Sequence, residues 1–104
     1  MRVWLTGLLA PPDPGPPTLR PLRPPPVEDA GPFVLGRERS CDFFIEDPSV
    51  SRHHADLRRT DDGWELADVG STNGTRVNGW KIRTAPLRPG DIVELGRVPF
   101  VFEP

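Results

Sequence analysis

From Phe33 onward the sequence is a succession of short apolar runs broken by turn-forming residues: FVLGR (33–37), DFFI (42–45), HHADLRR (53–59), WELADV (64–69), TRVNG (75–79), DIVELG (91–96) and PFVFE (99–103). No segment of ten or more residues repeats its apolar positions with a helical period, and the run lengths are those of β-strands. Ala55 and Leu57, then Trp64 and Leu66, alternate with polar neighbours, so each strand hides one face and wets the other. Strands of this kind close most simply as two antiparallel sheets packed face to face. The expected class is all-β, a two-sheet sandwich.

The turns between the runs have local causes. Asp61-Asp62-Gly63 reads as a hairpin loop, Asn78-Gly79 suits a type I′ turn between TRV and WKI, and Pro89-Gly90 suits the centre of a type II turn leading into DIVEL. The connection EDPSVSR is longer and polar, which marks it as a candidate for function.

At 104 residues the chain supports one core, so residues 1–104 are expected to form a single domain with its best-supported part at 32–103. Ten of the fifteen prolines fall in residues 11–32, where the missing N–H donors rule out a helix or a continuous sheet ladder. Residues 10–31 are therefore a proline-rich loop or arm. Within it TLRPL (18–22), and before it residues 2–9, are candidate edge strands. Thirteen basic against fifteen acidic residues leave a net charge of −2, with no global field to attract nucleic acid or an anionic membrane. A single cysteine, Cys41, excludes an intrachain disulfide and a multi-cysteine metal site and fits a reducing compartment. The apolar run near the start is interrupted by Thr6 and Gly7 and is short for a signal peptide, so the expected location is the cytoplasm.

Three loops carry the polar chemistry: Gly36-Arg37-Glu38-Arg39, Ser49-Val50-Ser51-Arg52-His53-His54 and Gly70-Ser71-Thr72-Asn73-Gly74-Thr75. Spacing alone does not bring them together; a sandwich whose loops gather at one end would. Arg37 then supplies a fork of donors, Ser51 a hydroxyl, and Asn73 an amide with one donor side and one acceptor side. That inventory suits a phosphate dianion on an extended peptide and contains nothing that attacks a bond. Ser51 beside His53 or His54 lacks a nucleophile elbow or an oxyanion device. Cys41 with a histidine makes no better pair, and His53, His54 and Asp56 do not complete a metal site. GSTNGT lacks the lysine of a nucleotide-binding P-loop. No catalytic residue, metal or cofactor is expected.

Taken in order, LGR, CDFFIEDPSVSRHHADL, WELADVGSTNGTRVNG and LRPGDIVELG resemble the forkhead-associated (FHA) domain, over most of residues 32–103. The resemblance rests on Gly36-Arg37, Ser51-x-x-His54 and Ser71-Thr72-Asn73-Gly74 taken together. It implies a sandwich of about eleven strands that reads phosphothreonine peptides through loops at one end. Arg37, Ser51 and Arg52 then look like phosphate contacts, Thr72 and Asn73 like peptide contacts, and Gly36, His54 and Gly74 like scaffold. The implied partner is a threonine-phosphorylated protein marked by a Ser/Thr kinase; the alternative is a phosphate-independent assembly domain on the same sandwich. Arg39, Arg76, Lys81 and Arg83 would favour acidic ligands. The family's first strand and its return would be RVWLTGLL and TLRPL, with Trp4 in the core if that pairing forms.

Overall fold

The structure, a computed structural model, describes residues 19–26 and 28–104. Ten strands follow in chain order: β1 (Arg20–Leu22), β2 (Phe33–Gly36), β3 (Phe43–Phe44), β4 (Ala55–Thr60), β5 (Gly63–Asp68), β6 (Thr75–Val77), β7 (Trp80–Ile82), β8 (Thr84–Leu87), β9 (Ile92–Leu95) and β10 (Val98–Phe102). They form two five-stranded sheets, ordered β1-β10-β9-β6-β7 and β3-β2-β4-β5-β8. The all-β sandwich is as the alternation of apolar and polar residues requires, with about ten strands among the described residues. The candidate strand at 2–9, and with it Trp4, lies outside them.

Period-two alternation builds the core. Phe100 and Phe102 of β10, Val93 and Leu95 of β9, Ala55 and Leu57 of β4 and Leu66 of β5 are fully buried, while their neighbours along each strand face outward. Trp64 of β5 packs edge-on against Phe102 of the opposite sheet with ring centroids 6.1 Å apart, and Phe43 meets Phe100 the same way at 5.4 Å. Each large side chain buried in this way contributes about 1.5–3 kcal/mol.

Two pairings are parallel, β1 with β10 and β2 with β3, so the sheets are mixed and not wholly antiparallel. TLRPL does supply an edge strand. Leu22 enters the core, and Arg20, on the same face at the rim, lies 4.9 Å from the Phe43 ring centroid and donates to the Phe44 carbonyl at 3.3 Å. Arg20 thereby ties one sheet to the other. β8 is a strand that composition hides, because Pro86 interrupts its pattern; the position is tolerated since β8 is an outer strand.

The two-residue turn at Asn78-Gly79 has both residues at positive φ, 50° and 88°, as a type I′ hairpin between Val77 and Trp80 demands. Asp91 N–H donates to the Arg88 carbonyl at 3.0 Å across Pro89-Gly90, closing the other expected turn.

Phe102→Ala is expected to lower unfolding free energy by about 3–5 kcal/mol in urea denaturation, whereas Trp80→Ala, on an exposed outer strand, should change it by about 0.5 kcal/mol or less.

Candidate functional site

Antiparallel pairing sets which loops can meet. The end of β2, the start of β4, the end of β5, the start of β6 and the end of β9 all lie at one end of the sandwich. The connections 37–42, 45–54 and 69–74 and the β9–β10 turn at 96–97 therefore share one rim.

His54 holds them there. It is fully buried, and its backbone joins two neighbours: its N–H donates to Leu35 O at 2.9 Å, and its carbonyl accepts from Val69 N–H at 3.2 Å. Its ring joins two more. Nδ1 accepts from Ser51 N–H at 3.0 Å, so the ring proton sits on Nε2, which donates to Gly74 O at 2.9 Å. Gly74 O also accepts from Gly96 N–H at 3.0 Å, which brings in the other sheet.

Arg37 is fixed by the middle loop. Its backbone N–H donates to Ser51 O at 3.0 Å and its Nε–H to Val50 O at 2.9 Å, leaving the terminal guanidinium nitrogens for the solvent side. Gly36 permits this approach, because a Cβ there would sit 1.9 Å from the Arg52 carbonyl oxygen.

The third loop wraps around Asp68. The carboxylate accepts from the amides of Gly70 and Ser71 at 2.9 and 3.0 Å, from the Ser71 hydroxyl, and from the Thr75 hydroxyl at 2.7 Å. Burial pushes its pKa up, but the Ser71 and Thr75 hydroxyls and the two amides outweigh that, and the carboxyl is held below its ordinary value. Ser71 Oγ in turn accepts from Gly74 N–H at 3.0 Å. Asp47 does similar work beside it: its carboxylate accepts from the hydroxyl and amide of Ser49, which lower its pKa, and lies 3.5 Å from Arg97 Nε.

The result is an open depression lined by Arg37, Ser51, Arg52, Thr72 and Asn73. All five residues expected at the site line it, and Gly36, His54 and Gly74 lie buried beneath. Ser51 Oγ accepts from Thr72 N–H at 3.0 Å, so its own O–H remains to donate. Asn73 Nδ2 donates to Ser49 O at 2.9 Å, which fixes the amide and leaves Oδ1 as an acceptor. Two guanidinium groups, a hydroxyl donor and an oriented amide face one opening, an arrangement that binds an anion on an extended chain.

The same network places the other candidates elsewhere. The His54 ring faces the Ser51 amide and not its hydroxyl, His53 Nε2 meets Asp56 at 2.6 Å, and Cys41 Sγ donates to Arg52 O at 3.3 Å. No group of three metal-ligating side chains exists among the described residues. Sequence reasoning missed Asp68, Asp47 and the Gly96-Arg97 turn. For Asp68 a signal existed: an aspartate with Gly-Ser two and three residues on can close a turn by accepting from their amides.

Comparison with known proteins agrees with this geometry. A family model described as FHA domain matches residues 33–96. An oxoglutarate dehydrogenase inhibitor from Corynebacterium diphtheriae is 45% identical over 69 residues, 66% of this chain and 48% of that protein. The chain spans about half the length of the curated relatives it matches most strongly. The FHA-2 domain of a Mycobacterium tuberculosis ABC transporter aligns with TM-score 0.65 and 37% identity over 98% of this chain and 88% of that one. A structure from work on phosphothreonine-dependent FHA domain interactions aligns with TM-score 0.66 and 33% identity over 72% and 77%.

Because Asp68 and Asp47 are depressed, the stability they confer is complete above their ordinary value near 3.8 and is lost as pH falls through the lower folded values. Thermal melts from about pH 7 down to about pH 2 should show this loss below about pH 4. Asp68→Asn should lower the midpoint at neutral pH and flatten the acid slope; an unchanged slope would mean that the Asp68 cluster does not hold the loop.

Proposed function

This chain belongs to the FHA domain family, and from that premise we propose that it binds phosphothreonine peptides, with the phosphate seated between Arg37 and Ser51. FHA domains are non-catalytic interaction modules, and the matched structures support a phosphopeptide-binding role in general. The preference for threonine, the roles of individual residues and the cytoplasmic setting are our reading. One observation carries it: the unspent donors of Arg37 and Ser51 and the unspent acceptor of Asn73 open onto one depression, whereas the carboxylates near it are turned toward Ser49, Ser71 and Thr75.

In this reading the Arg37 fork and the Ser51 hydroxyl donate to phosphate oxygens, and Arg52 adds a second guanidinium. The Thr72 amide is already committed to Ser51 Oγ, so Thr72 shapes the wall of the pocket and holds the Ser51 hydroxyl in place. Asn73 Oδ1 accepts a main-chain N–H of the ligand and orients the peptide relative to its phosphate. Because Arg37, Ser51 and Asn73 are each held by a hydrogen bond before the ligand arrives, these side chains lose little conformational freedom on binding; the larger cost falls on ordering the peptide. Recognition of this type couples a Ser/Thr kinase to an assembly, since the phosphate supplies most of the directional contacts.

Arg37→Ala is expected to retain the fold by circular dichroism and to weaken a phosphothreonine peptide by about 2 kcal/mol or more. Calorimetric titration with matched phosphorylated and unphosphorylated peptides checks this. Equal affinities for the two peptides would reject the proposal.

A further inference from the structure

Asn73 is exposed, and an exposed carboxamide ordinarily samples several rotamers. Among the described residues its side chain makes one hydrogen bond, from Nδ2 to Ser49 O at 2.9 Å. A carbonyl only accepts, so this bond fixes which end of the amide faces the protein and turns Oδ1 to the opening. How well Asn73 reads a ligand therefore depends on how firmly the Ser49 carbonyl is held.

It is held from both sheets. On its own loop a single oxygen of Asp47, Oδ1, accepts the Ser49 N–H at 2.8 Å and the Ser49 hydroxyl at 2.7 Å, and the Val50 N–H returns to Asp47 O at 3.0 Å. From the turn between β9 and β10, the Arg97 N–H donates to Ser49 Oγ at 3.0 Å. Gly96 of that turn, at φ 61°, approaches so closely that a Cβ there would lie 2.4 Å from Ser49 O. Asp47 itself does not line the depression that Arg37, Ser51 and Asn73 share.

We propose, on the basis of the phosphopeptide reading above, that Asp47 and Ser49 are positioning residues that make the rim a reader of phosphate on an extended peptide instead of phosphate alone. Asp47 locks Ser49, the Ser49 carbonyl locks the Asn73 amide, and Asn73 Oδ1 meets a main-chain N–H beside the phosphorylated residue. Bare phosphate offers Asn73 no such N–H and is indifferent to the relay. Charge alone predicts the opposite sign for Asp47, because removing a carboxylate from a rim that carries Arg37 and Arg52 strengthens an anion site. A loss of peptide affinity on its removal therefore reports position and not charge.

The test is calorimetric titration with matched phosphorylated and unphosphorylated threonine peptides, and NMR titration with inorganic phosphate, of wild type, Asp47→Ala, Asp47→Asn, Asn73→Ala and the double variant Asp47→Ala/Asn73→Ala. Asp47→Ala should weaken the phosphopeptide at least about threefold and leave inorganic phosphate bound no more weakly. Asp47→Asn, whose Oδ1 accepts the same two Ser49 donors, should recover most of that loss. In the Asn73→Ala background Asp47→Ala should change phosphopeptide affinity by less than about twofold. Without ligand, the Asn73 side-chain amide protons should exchange with water faster in Asp47→Ala than in wild type. Circular dichroism verifies folding; Ser49→Ala, which keeps the carbonyl but loses its hydroxyl bonds to Asp47 and Arg97, should show the same pattern and replaces Asp47→Ala if that variant unfolds. Unchanged phosphopeptide affinity, equal losses for peptide and inorganic phosphate, additive losses in the double variant, or an unperturbed Asn73 amide would each overturn the proposal. Equal binding of the two peptides by wild type would reject the phosphothreonine reading and this proposal with it, whereas phosphate-dependent binding indifferent to Asp47 and Ser49 would reject this proposal alone.

Discussion

The buried imidazole of His54 is the joint on which the rim depends. Its two ring nitrogens reach the Ser51 amide and the Gly74 carbonyl, and its main chain reaches Leu35 and Val69, so one residue immediately before β4 joins the end of β2 to the 45–54 and 69–74 connections. A neutral ring with one donor and one acceptor meets both demands at once; no aliphatic side chain of similar size does. Placing such a group in the interior is tolerable because every polar atom on it is bonded, and no buried side-chain N or O among the described residues lacks a partner.

Around that joint the structure divides labour between carboxylates that face inward and cations that face outward. Asp68 and Asp47 are consumed by amides and hydroxyls of their own loops, which fixes loop shape and keeps the acids from neutralising Arg37 and Arg52. Gly36 lets the first two loops approach to backbone contact, and the Arg37 guanidinium is anchored through Nε alone, which leaves its terminal nitrogens for a ligand. The binding face is thus built before any ligand arrives, as tight reading of a small dianion requires.

Much of this was legible in residue order, for physical reasons that differ by element. β4, β5, β9 and β10 announce themselves because one face of each meets the core, and Asn78-Gly79 announces its turn because few other pairs adopt two positive φ values. Arg37, Ser51 and Asn73 could be named as a set from their resemblance to a known motif, yet their meeting depends on sheet pairing, which no local pattern encodes. β8 was concealed by Pro86, a residue that an outer strand accepts and an inner one does not. The parallel pairing of β1 with β10 was concealed because it joins segments about eighty residues apart, and the Asp68 cluster because a turn aspartate reads as solvated surface until its four donors are seen.

In the binding mode we propose, a preassembled rim, and not a sheet face, receives the phosphate. Two-dimensional amide NMR during titration with a phosphothreonine peptide tests it most directly. Saturable shifts are expected at Arg37, Ser51, Arg52, Thr72 and Asn73, with small shifts at His54 and Asp68 and none for the unphosphorylated peptide. Shifts confined to the β7–β8 side, or equal shifts with and without the phosphate, would contradict it.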